Sequence, residues 1–212
     1  MNLTNKIQSA EQQYLEPVEQ FFKSVYREDH LTSHGIDHHR RVWNHAKELL
    51  NYTKTEDYDP LLVQKIMIAC YLHDIGMATD PGTRHGIQSS DLCKKFLRQN
   101  ELRESDFSDV LLAIESHDNK EYTDSAEDDI LLTILSVADD LDAFGKIGIE
   151  RYLEIYFLRG IEPDKIGNLI IENAGKRFDH FLKIFGNYPS LIRKYRKEYE
   201  ILKDFFVNYN KQ

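Results

Sequence analysis

Apolar residues recur along this chain at spacings of three and four, and almost nowhere do apolar and polar residues alternate one for one. That period belongs to helix faces, so the pattern predicts an all-α protein, helix after helix with short links. A first helix is expected over roughly residues 4–29, with Leu15, Val18, Phe21, Phe22 and Val25 on its apolar side and Pro17 as a kink or break; it reads as a lid or packing arm. A loop at Leu31–Asp37 leads to a second helix from about Asp37 to Thr53. The third runs from Pro60, a residue suited to a first turn, to Ile75. Gly76–Thr83, reading GMATDPGT, is the clearest loop. A fourth helix is expected from about Arg84 to Asn100 and a fifth from Ser105, a plausible N-cap, to His117. Beyond a polar loop at 118–128 comes a sixth, Ile130–Phe144. Gly145 and Gly148 then punctuate the passage into a seventh near Ile149–Leu158. Pro163 and Pro189 open two longer helices, ending near Phe185 and Tyr209, whose aromatic residues Phe178, Phe181, Phe185, Tyr195, Tyr199, Phe205 and Phe206 read as packing.

Composition narrows the class. At 212 residues the chain suits one domain, 1–212, with a core at about 30–160 on which the N-terminal helix (4–29) and the C-terminal helices (163–209) pack. Hydrophobic residues at 41% and charged residues at 30% describe an ordinary soluble globular chain. No run approaches the ~18 apolar residues of a membrane helix, and MNLTNKIQSAEQQ lacks the apolar centre of a signal peptide, so a cytoplasmic protein with no membrane partner is expected. A net charge of -9 disfavours nonspecific nucleic-acid binding, though not a small anionic substrate in a local pocket. Cys70 and Cys93 each lie among apolar neighbours and read as buried thiols rather than a disulfide.

The chemistry centres on YLHDIGM, residues 71–77, where His73 and Asp74 end an apolar run and Gly76 stops the helix. A buried carboxylate and imidazole are costly unless something satisfies them, and a divalent metal satisfies both. Other candidates share a face with apolar neighbours on their own helices. His38 lines up with Val42, Ala46 and Leu49; His73 with Ile66, Ala69 and Cys70; His85 with Gln88, Ser89, Leu92 and Phe96; His117 with Val110, Ala113 and Ile114. Asp139 and Asp142 continue the face of Leu132 and Leu135. Five helices thus each aim a metal-capable side chain inward, whereas His45 reads as a hydrogen-bonded core histidine and His30 and His180 as structural or surface residues.

The order His, His-Asp, distant Asp resembles the HD-domain superfamily of metal-dependent phosphohydrolases, in particular small bacterial single-domain members. HGIDHHRRVWNHA resembles its opening helix, with the His-x-x-Arg-Val spacing placing the first ligand at His38 rather than His39. CYLHDIGM resembles the His-Asp signature, and VADDLDAFGKIGIER a closing motif whose ligand aligns with Asp139. The resemblance covers about residues 30–155. It implies an all-helical bundle with a central metal site, here extended by C-terminal helices, and one or two divalent transition-metal ions (Mn, Fe, Co, Ni or Zn). His38, His73, Asp74 and Asp139 would hold one ion, and His85 and His117 the second, with Asp74 between them.

The function this implies is hydrolysis of a phosphate ester in a nucleotide or similar small molecule by metal-activated water. Arg41, Arg84, Lys146 and Arg151 are candidates for binding phosphate oxygens. Asp142 can orient a ligand histidine or take a proton, and His34 can protonate the leaving group. Met77 departs from the His-Asp-x-Gly-Lys of many relatives, whose lysine approaches phosphate, and the glycine-rich and tyrosine-proline motifs of cyclic-dinucleotide phosphodiesterases are missing after His117. Two alternatives remain: a di-iron oxygenase, since some HD relatives use the same six-ligand order, and a nucleotide-binding HD module that has lost catalysis. The aromatic C-terminal helices can cover the site, pack on the core or pair with another copy, leaving a homo-oligomer open.

Overall fold

The computed structural model describes residues 2–26, 31–53, 59–79, 82, 84–118 and 129–211. Among these residues there are nine α-helices and no strand: α1 (Leu3–Val25), α2 (Ile36–Leu50), α3 (Pro60–Leu72), α4 (His85–Gln99), α5 (Ser108–Ser116), α6 (Ile130–Asp142), α7 (Gly145–Leu158), α8 (Pro163–Phe185) and α9 (Pro189–Tyr209). Several start where a side chain satisfies the open N–H groups of a first turn. Asn2 accepts from the Asn5 N–H, Asp59 from Leu61, and Asp129 from Leu131 and Leu132. Pro60, Pro163 and Pro189 stand in first turns, where no N–H is needed.

Two compact units form, one up to Ala138 and one from Asp139 onward, the division falling inside α6. In the first, α3 is the centre: α1 and α2 pack on it, and it also meets α4 and α5. Every residue from Ile66 to Leu72 is buried, so α3 is apolar all round rather than along one stripe. By length and composition Pro60–Ala78 would pass for a membrane span, yet most of it lies inside the protein, as a core helix does. In the second unit α9 packs against α7 and α8. There Phe178 stacks on Tyr199 with centroids 4.5 Å apart, and Phe181 meets Tyr195 edge-on at 5.6 Å. The aromatic residues of α8 and α9 are packing, except Phe205, which is exposed.

Three local expectations change. Helix α1 runs unbroken through Pro17, because Ala10 and Tyr14 before it and Val18, Phe21 and Phe22 after it are buried together, and that burial offsets the lost hydrogen bond. Ser105 does not cap α5. It lies in a 3-10 turn, Glu104–Phe107, that carries Phe107 into the core, and α5 begins afterwards at Ser108. Helix α7 starts a turn earlier than expected, at Gly145, whose φ of 66° makes the reversal after α6. Gly148, inside α7, lies where a Cβ would collide with the Ala143 carbonyl and stand 3.0 Å from Leu202. The expected loop at 118–128 lies, beyond Asp118, outside the described residues, as do 27–29 of the expected first helix. Both cysteines are buried free thiols, and burial pushes Cys93 up to about 12, leaving it unreactive.

If α1 is part of the core and not a detachable lid, Phe22→Ala will destabilise the protein by about 3–5 kcal/mol. Half-buried Leu15→Ala should cost much less. Urea unfolding followed by circular dichroism distinguishes the two.

Candidate metal centre

Helix ends carry four of the histidines of the first unit. His38 lies in the first turn of α2, His73 follows the last residue of α3, His85 opens α4, and His117 follows α5. His34 ends a 3-10 turn just before α2, and Asp74 comes directly after His73. All six are buried. Close approach of backbone sets part of this arrangement. A Cβ on Gly76 would collide with the His85 carbonyl and stand 2.8 Å from the Ser89 nitrogen, and the Gly76 N–H donates to the Ser89 hydroxyl at 2.8 Å. Only glycine lets the His-Asp turn rest on α4, and this contact sets the spacing between Asp74 and His85.

Asp74 is where the imidazoles meet. Its Oδ2 lies 3.4 Å from His73 Nε2, 3.6 Å from His38 Nε2 and 3.7 Å from His34 Nε2. Its Oδ1 lies 3.0 Å from His117 Nε2 and 3.3 Å from His85 Nε2. The proton positions on three rings follow from the backbone. Nδ1 of His73, His85 and His117 faces the carbonyl oxygens of Cys70, Gly82 and Ile114 at 3.0, 2.8 and 2.6 Å. A carbonyl only accepts, so each Nδ1 bears a proton, and in its neutral form each ring turns an Nε2 lone pair toward the carboxylate.

A lone pair aimed at a carboxylate oxygen is repulsive unless positive charge stands between them. Protonating every ring would bury several imidazolium ions at high desolvation cost. One divalent cation resolves the contact while the rings stay neutral. The spacing agrees, because metal–donor bonds of about 2.1 Å put neighbouring donors roughly 3.0 Å apart in octahedral and roughly 3.4 Å apart in tetrahedral coordination. His38, His73 and Asp74 bring ligand atoms within 4.8 Å of one another, and so do Asp74, His85 and His117. The two sets use different oxygens of the same carboxylate, so the residues fit one ion or a pair bridged by Asp74. Burial alone would raise the Asp74 carboxyl, but positive charge on the imidazoles, His73 foremost, and the hydrogen bonds they donate when protonated hold the group well below the usual carboxylate range, and a cation among neutral rings acts in the same sense. Asp74 is therefore ionised at neutral pH and available as a ligand.

Two neighbours were not legible as site residues. His39 is fully buried, donates from Nδ1 to the Cys70 carbonyl at 3.2 Å beside His73, and lies against the Phe22 ring; its Nε2 has no hydrogen-bond partner among the described residues. Burial, helped by His38 and His73, pushes its pKa well below the usual histidine range, so it is neutral. Asp118, half-exposed, places Oδ2 3.8 Å from His85 Nε2.

The second unit holds the remaining acidic candidates. Asp139 and Asp142 are buried on α6. Arg151 donates to Asp142 Oδ2 at 3.1 Å and to Asp139 Oδ1 at 3.4 Å. Arg177 donates to Asp139 Oδ2 at 3.1 Å and to Asp140 Oδ1 at 2.9 Å, while His180 Nδ1 lies 2.9 Å from Asp140 Oδ2. Arg151, expected at substrate, is thus engaged by two carboxylates, and Asp142, expected beside a ligand histidine or a proton, carries a bond from Arg151. His180, read as a structural or surface residue, is buried. Arg177 and Asp140 were not singled out, although Arg177 and His180, three residues apart, share one face of α8. Of the other candidate cations, Arg41 is half-buried and Arg84 and Lys146 are exposed; His45 is half-buried, and His30 lies outside the described residues.

The sequence model of the HD domain matches residues 35–143, just over half of the chain. The chain belongs to the HD-domain family. The HD match opens just before His38 and closes just after Asp142, so α7, α8 and α9 lie wholly beyond it. Two solved structures share the fold. One, from an uncultured Thermotogales bacterium and titled a predicted HD superfamily hydrolase, is 23% identical, covers 90% of this chain and 98% of its own, and has a TM-score of 0.53. The other, from Lactobacillus plantarum, is 16% identical over 100% of both chains with a TM-score of 0.54. No curated protein matches the chain. Met77, which stands where the sequence resemblance leads one to expect a lysine, is buried.

Gly76→Ala should force the His-Asp turn away from α4. The expected result is a loss of about 1–3 kcal/mol in stability and about a 10–100-fold weakening of Mn²⁺ binding. Unfolding titrations and calorimetry measure the two separately.

Proposed function

We propose that the protein is a metal-dependent phosphohydrolase that cleaves a phosphate ester of a nucleotide or similar small molecule. The observation that carries the reading is the Asp74 carboxylate, with one oxygen facing His38 and His73 and the other facing His85 and His117. His38, His73 and Asp74, with Asp139 as the fourth ligand, would hold one ion, and His85 and His117 would hold a second on the other side of Asp74. A mixed set of imidazoles and carboxylates suits Mn, Fe, Co, Ni or Zn. Such an ion supplies a Lewis acid and makes water acidic enough to yield hydroxide near neutral pH.

The chain's own groups do the rest. The Nδ1–H bonds to backbone carbonyls fix the tautomers of His73, His85 and His117 and orient their Nε2 atoms toward Asp74, so the site needs little rearrangement to bind. His34 is placed to give a proton to the leaving group: it is buried, its Nε2 lies on the Oδ2 side of Asp74, and the Ser33 hydroxyl at 2.8 Å from Nδ1 steadies the ring. Arg41, Arg84 and Lys146 are the cations proposed for the substrate's phosphate oxygens. Asp142, held by Arg151, takes an anchoring role at the end of α6.

The test is phosphate release from a panel of nucleotides and phosphomonoesters by protein loaded in turn with Mn²⁺, Co²⁺, Ni²⁺, Fe²⁺ and Zn²⁺. Turnover should depend on the metal, stop with a chelator, and fall to background in Asp74→Asn. Release that survives chelation, or turnover that consumes oxygen and frees no phosphate, would contradict the proposal.

A further inference from the structure

We infer that Arg177 of α8, beyond the segment the HD-domain match covers, is a positioning residue for the Asp139 carboxylate and so for any ion that Asp139 binds. The inference rests on the reading of Asp139 as a ligand. Three buried carboxylates, Asp139, Asp140 and Asp142, fall within four consecutive residues at the end of α6 and repel one another. Two guanidiniums from later helices offset them, and they do so unequally. Arg151 makes its shorter bond, 3.1 Å, to Asp142 and reaches Asp139 at 3.4 Å. Arg177 reaches Asp139 at 3.1 Å and joins it to Asp140 at 2.9 Å through the same Nη1.

Arg177 is itself held at its neck. Its Nε donates to Asn173 Oδ1 at 3.0 Å, and the Tyr152 hydroxyl donates to the same oxygen at 2.6 Å. Asp140 is pinned from its other side by His180. The side chains of Arg177, Asp139 and Asp140 are 13%, 5% and 0% exposed, so water does little to screen these contacts. A guanidinium fixed at Nε and bonded to two adjacent carboxylates sets the orientation of both. Each carboxylate oxygen offers two lone pairs, so accepting from Arg177 is compatible with binding a cation. Outer contacts of this kind typically contribute 10–100-fold to metal affinity.

The test is a double-mutant cycle on Mn²⁺ affinity, measured by calorimetry and by the spectrum of bound Mn²⁺. Arg177→Ala should weaken binding about 10–100-fold in the wild-type background, and no further when Asp139→Asn is already present. Added guanidinium should restore part of the affinity of Arg177→Ala, which a packing role would not allow. If Arg177→Ala does not fold, Arg177→Lys keeps the charge without the fork, and its loss should again vanish in the Asp139→Asn background. A loss of equal size in both backgrounds, or none in either, overturns the inference while leaving the metal reading intact. Wild-type protein that binds no Mn²⁺, or Asp139→Asn that binds as tightly as wild type, instead brings down the ligand assignment on which it rests.

Discussion

A buried carboxylate whose nearest polar neighbours are imidazole lone pairs is an arrangement that needs a positive charge, and the first unit of this protein is built around it. Five Nε2 atoms stand within 3.7 Å of the Asp74 oxygens. On three of those rings the only proton of the neutral form is already committed to a carbonyl. The choice is then between several buried imidazolium ions and a divalent cation, and direct coordination by the facing donor atoms favours the cation.

Helix ends serve this constraint twice. They bring residues distant in sequence to one point, and they supply carbonyls that lack a partner within their own helix. Cys70 and Ile114 lie in the last turns of α3 and α5, and their oxygens accept from His73 and His117. The groups a helix leaves unsatisfied at its C-terminus are therefore the groups that set the histidine tautomers. A helix buried on all sides, α3, fixes where that end lies, and the absence of a side chain at Gly76 lets α4 bring in His85. Gly76 and the aspartate two residues before it are parts of one device.

What could be read from the sequence follows from where each signal resides. His38 and His85 sit on the apolar stripes of α2 and α4 and His117 continues that of α5, so periodicity pointed them inward, while His73 follows α3, which is apolar all round. The proline openings of α3, α8 and α9 are equally local. Pro17 misled because its cost is local while the burial that outweighs it lies a turn away on either side. Ser105 misled because a 3-10 turn puts Phe107 inward before α5 begins. Arg177 and Asp140 stayed hidden because a charged residue on a long polar helix looks solvated until the helix it faces is known. Burial of His39 beside His38 was likewise invisible, since neighbouring residues on a helix point in different directions and only one fitted the family spacing.

The most direct measurement is anomalous diffraction from crystals soaked in Mn²⁺. The account predicts a manganese peak within bonding distance of an Asp74 carboxylate oxygen and of Nε2 of His38 and His73, with the His73 Nδ1 still on the Cys70 carbonyl. A peak placed away from Asp74, ligation through Nδ1 with the rings turned over, or an unoccupied Asp74 at saturating Mn²⁺ would contradict it.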